Sequence, residues 1–61
     1  HKTIAIDIGA NIGNHSLYFS DYYEKVFSFE PNLRTYKTLI LNAELVKNID
    51  CFNLGLSDQD Q

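Results

Sequence analysis

The spacing of apolar residues changes from one segment of the chain to the next. In "TIAIDI" (Thr3 to Ile8) β-branched side chains crowd together and stop at Gly9, which predicts a strand. In "HSLYFSDYY" (His15 to Tyr23) Leu17, Tyr18 and Tyr22 fall at helical intervals after a polar start, which predicts a short helix. "KVFSF" (Lys25 to Phe29) reads as a second strand, ended by Glu30 and Pro31. From Pro31 to Val46, Tyr36, Leu39, Ile40, Ala43 and Val46 recur on one helical face, and Pro31 suits a first helical position. Lys47 suits the negative end of that helix dipole, and Asn48 suits a left-handed cap. "DCFNL" (Asp50 to Leu54) predicts a third strand before Gly55.

The predicted order is β-α-β-α-β, with no repeat, linker or low-complexity tract. Short connections between alternating strands and helices point to a parallel sheet wound by right-handed crossovers, half of a nucleotide-binding α/β fold. Such sheets bind ligands beyond the carboxyl ends of their strands. In this chain those positions hold Gly9 to Gly13, then Glu30, then Gly55 to Asp58.

A glycine-bearing turn between a strand and a helix lets backbone approach a ligand. Glu30, at the end of the second strand, is placed to accept hydrogen bonds from a ribose diol. Together they describe a nucleoside pocket. A dinucleotide fingerprint G-x-G-x-x-G aligned on Gly9 would need glycine at 11 and 14, where this chain has Asn11 and Asn14. The pattern present is D-x-G-x-x-x-G, from Asp7 through Gly9 to Gly13. It suits a ligand without pyrophosphate whose tail offers an ammonium group to an acid such as Asp7, and S-adenosylmethionine is such a ligand.

The blocks "DIGANIGNHSLYFS", "VFSFEPNLRTYKTLILNAEL" and "FNLGLSD" together resemble the successive cofactor-site blocks of FkbM-family methyltransferases, over almost the whole chain. The resemblance implies a Rossmann-like class I S-adenosylmethionine-dependent fold, and methyl transfer to an oxygen on a sugar or natural-product scaffold. It also implies that Asp7, Gly9, Asn11 and Gly13 lie along the methionine part and that Glu30 holds the ribose. Leu56 and Asp58, within "LSD", fall by the same resemblance near the adenine. A complete domain of that family carries further strands and the acceptor pocket. Residues 1–61 are therefore expected to be a partial, truncated cofactor-binding domain that transfers no methyl group alone.

Other readings compete. Taken singly, Asp7 could cap the following helix, Gly9 and Gly13 could be plain turn residues, and Glu30 could be a favourable charge at a helix start. Their shared placement at strand ends favours a site. A nicotinamide or flavin oxidoreductase half-domain would share the ribose acid, but Asn11 argues against it. A non-catalytic fragment that self-associates is the third class. In a doubly wound sheet the first strand is central, and its side away from the second strand is left open here, an edge that invites pairing with another chain.

Composition narrows the field without identifying an acceptor. Sixty-one residues bury only about 60% of the surface exposed by the unfolded chain, so one small core is expected. The chain begins at His1 without an initiator methionine and reads as a piece of something longer. A net charge of −3 with five scattered Lys and Arg gives no footprint for nucleic acid or an anionic membrane. No apolar run approaches the ~20 residues needed to span a bilayer and no leader is present, so a cytoplasmic location is expected. The single Cys51 excludes an internal disulfide and reads as a packed strand thiol. His15 lacks a paired acid and reads as a helix-entry residue rather than a base. Ser16 and Ser28 lack a nucleophile elbow, the aromatic residues read as core and surface groups, and Asp50, Asp58 and Asp60 form no metal-binding loop.

Overall fold

In a computed structural model, which describes residues 3–55, the chain runs β1 (Ile4–Ile8), α1 (Asn14–Ser20), β2 (Lys25–Phe29), α2 (Leu33–Ala43) and β3 (Ile49–Phe52). The strands form one parallel sheet in the order β1-β2-β3, with β2 central. Ala5 pairs with Val26, Asp7 with Ser28, and Ser28 in turn with Cys51. The predicted small α/β arrangement with a parallel sheet is therefore present. Among the described residues no helix is long and apolar enough to cross a membrane.

The two faces of the sheet differ sharply. One carries Ala5 and Asp7 of β1 and Val26 and Ser28 of β2, all buried, under Ser16 of α1 and Leu39 and Ala43 of α2. The other carries Ile4, Ile6 and Ile8, which remain 59, 60 and 64% exposed, beside Phe27, Phe29 and Phe52. Phe29 and Phe52 stack at 5.0 Å, and a half-exposed Lys25–Asp50 ion pair of 2.9 Å borders them. Strands of α/β sheets are usually apolar on both faces because both are covered. Here α1 and α2 cover only one.

Several predicted boundaries are corrected by local hydrogen bonding. The first helix starts at Asn14 and ends at Ser20 rather than Tyr23. Pro31 is not its helix's first residue: Asn32, in an extended conformation, caps α2 by accepting the Thr35 N–H at 2.9 Å. The helix stops at Ala43, which leaves Val46 and Lys47 outside it. Asn48 does not adopt a left-handed cap, since among the described residues only Asn11 has a positive φ without being glycine. Its side-chain amide instead donates to the Ser20 and Tyr23 carbonyls and ties the end of α1 to the start of β3. The third strand is Ile49–Phe52, one residue earlier at its start and two shorter at its end than predicted.

Candidate functional site

The turn after β1 is built from unusual backbone. Gly9, Asn11 and Gly13 have φ of 70, 57 and 99°, three left-handed positions within five residues. Its amides are largely spent within the chain. The Gly9 and Ala10 N–H groups both donate to the Phe29 carbonyl, at 2.8 and 3.0 Å, and Gly13 N–H donates to the Ala10 carbonyl at 3.0 Å. The Asn42 side chain holds the turn against α2 by donating to the Ile12 carbonyl at 2.6 Å.

Glu30 joins this turn to the one after β2. Its carboxylate is almost fully buried, accepting the Asn11 N–H on Oε1 at 2.7 Å and the Asn32 N–H on Oε2 at 3.0 Å. An ionised carboxylate has about four lone-pair sites, so among the described residues each oxygen keeps one without a donor. The end of β3 is drawn to the same place, because Glu30 N–H donates to the Phe52 carbonyl and the Asn53 amide donates to the Glu30 carbonyl at 2.9 Å. Three strand ends thus meet around one acid.

Asp7 lies below this junction at 8% exposure. It does not cap α1, whose N-terminus at Gly13 receives no side-chain bond. Instead its Oδ2 accepts the Ser16 hydroxyl at 2.7 Å, and Ser16 Oγ lies 2.6 Å from Ser28 Oγ. Both serines are completely buried. Sequence reasoning that looked only for a nucleophile passed over them. The available signal was register: parallel pairing places Asp7 beside Ser28 on the helix-covered face.

A hollow of about 220 Å³ is lined by Gly9 to Ile12 with Asn14 and His15. It is smaller than the ~300–1,000 Å³ that encloses a whole small ligand, so it suits one end of one. A larger groove of about 540 Å³ runs between α2 and β3, away from this turn. Its Cys51 is a poor nucleophile: burial, and next the neighbouring Asp50 carboxylate, push the thiol up from its ordinary range and disfavour the thiolate. His15 is exposed and meets the Phe19 ring at 6.4 Å, with no carboxylate bonded to it among the described residues.

Of the predicted site residues, Asn11 and Glu30 are in direct contact, Gly9 and Gly13 shape the turn between them, and Asp7 stands beneath it. Leu56 and Asp58 lie outside the described residues. Among the described residues no group of three His, Cys, Asp or Glu is placed to hold a metal. Compared with known protein families, curated proteins and solved structures, the chain gives no match.

Proposed function

We propose that this chain is the cofactor-binding part of an S-adenosylmethionine-dependent methyltransferase acting on a hydroxyl of a sugar or natural-product scaffold. One observation carries the reading: the Asn11 N–H bond to Glu30 joins the glycine turn after β1 to the acid after β2. A ligand bridging the two would present a ribose to Glu30 and an amino-acid tail to the turn above Asp7. The residues present fit such a ligand, since among the described residues Glu30 keeps an acceptor site on each oxygen and Asp7 Oδ1 receives no donor. Bound there, S-adenosylmethionine would supply a methyl group already activated on a sulfonium. The protein's part is then alignment, which is worth up to ~7–11 kcal/mol of barrier. A hydroxyl acceptor also calls for a general base, and His15 is poorly placed to be one.

A dinucleotide oxidoreductase is the weaker alternative. Pyrophosphate binding needs turn amides directed at the ligand, whereas those of Gly9, Ala10, Asn11 and Gly13 are engaged by the chain itself. Isothermal titration of the full-length protein separates the two. Saturable heat with S-adenosylmethionine and none with NAD is expected, and the reverse would overturn the proposal.

We also propose that the 61-residue chain by itself pairs with a second copy of itself. The outer edge of β1 has no neighbouring strand among the described residues, and Ile4, Ile6 and Ile8 are exposed along the same strand. Light scattering should report a mass above the monomer that rises with concentration. Ile6→Lys should return it to monomer, because a lysine on an edge strand opposes pairing. A stable monomer of the unsubstituted chain would contradict this.

A further inference from the structure

The buried hydroxyls beneath the turn have a fixed direction. Ser16 has one hydroxyl proton, and it is directed to Asp7 Oδ2. The 2.6 Å contact between Ser16 and Ser28 can then be a hydrogen bond only with Ser28 donating. The three groups form a one-way chain from β2 through α1 to β1, with Ser28 donating to Ser16 and Ser16 to the carboxylate. Each donor in such a chain polarises the next. No donor among the described residues lies on Oδ1, although Asp7 is more than nine-tenths buried. A buried carboxylate oxygen without a partner calls for one.

We infer that Ser16 and Ser28 are positioning residues, which occupy Asp7 Oδ2 and leave Oδ1 as the acceptor for a cationic group, the ammonium of an amino-acid tail. This rests on the cofactor reading proposed above and adds a division of labour to it: Glu30 serves the nucleoside end, and the Ser28–Ser16–Asp7 chain serves the tail. A purely structural role is a poorer account. Three polar groups buried between a sheet and a helix stabilise no better than well-packed apolar side chains of the same size.

The test uses a ligand pair that differs only in the tail. S-adenosylhomocysteine carries the ammonium, and 5′-methylthioadenosine has the same nucleoside without it. Titrated into the full-length protein, Asp7→Asn should weaken the first by about 10- to 150-fold, the range for a hydrogen bond to a charged group. The loss should diminish along the chain, through Ser16→Ala to about 3- to 10-fold for Ser28→Ala. Methylthioadenosine should bind each variant as it binds the unsubstituted protein. Should Ser28→Ala fail to fold, Ser28→Cys keeps the volume with a much weaker donor and should show the same selective loss. Equal losses for both ligands, or none for either, would overturn the positioning role and leave the cofactor reading standing. Failure of the unsubstituted protein to bind either ligand would overturn both.

Discussion

Gly13→Val is expected to abolish stable folding, whereas Gly9→Asn should leave the fold nearly unchanged. Both glycines have positive φ, and from sequence they look equivalent. At Gly13 an added Cβ would lie 2.9 Å from Leu39 Cδ1, and the backbone sits at φ 99°, beyond the left-handed region that side chains tolerate. Leu39 is fully buried, so its side chain can make room only by repacking against the core around it. Backbone strain of ~1–3 kcal/mol and overpacking of ~1–3 kcal/mol together approach the ~3–5 kcal/mol that a core of this size supplies. At Gly9 the φ of 70° lies close to the left-handed minimum, and among the described residues nothing beyond its chain neighbours lies within 4 Å of where a Cβ would sit. Asparagine tolerates that conformation, as Asn11 shows two residues later. Thermal denaturation of the two variants decides the matter, and a Gly13→Val protein that melts with the unsubstituted one would disprove the packing role.

Glu30→Ala should lower both cofactor affinity and stability. Loss of charge-assisted bonds to a ribose diol would weaken binding by ~1.5–3 kcal/mol, about 10- to 150-fold. The same substitution leaves the Asn11 and Asn32 N–H groups without their acceptor, at a cost of ~1–3 kcal/mol for each that stays buried. From sequence alone Glu30 reads as a ligand group; its place between two turns makes it structural as well. Titration with S-adenosylmethionine beside a melting curve separates the two contributions. Glu30→Ala protein with unchanged affinity would remove Glu30 from the site, whatever its melting temperature.

The β-α-β-α-β order and the extent of β2 were legible because each depends on local chemistry: runs of β-branched and aromatic residues, and a helical period through Leu39 and Ala43. The gathering of Gly9, Gly13 and Glu30 at one end of the sheet was legible for a similar reason, since parallel strands with short crossovers put every strand's carboxyl end on the same side. Helix ends were less so. Asn32 caps α2 and Asn48 ties two loops, and asparagine suits a cap, a turn or a cross-link until the structure supplies its partner. Ser16 and Ser28 belong to no local pattern at all. Twelve residues apart, they become one network with Asp7 only when α1 lies across the sheet and register sets Ser28 beside Asp7. The sequence by itself determined which elements form and which strand ends meet, because those follow from near-neighbour preferences and chain connectivity. Tertiary structure alone decided which glycine has room for a side chain, where the buried hydroxyl protons point and which face of the sheet stays open, because each depends on atoms brought together from distant parts of the chain.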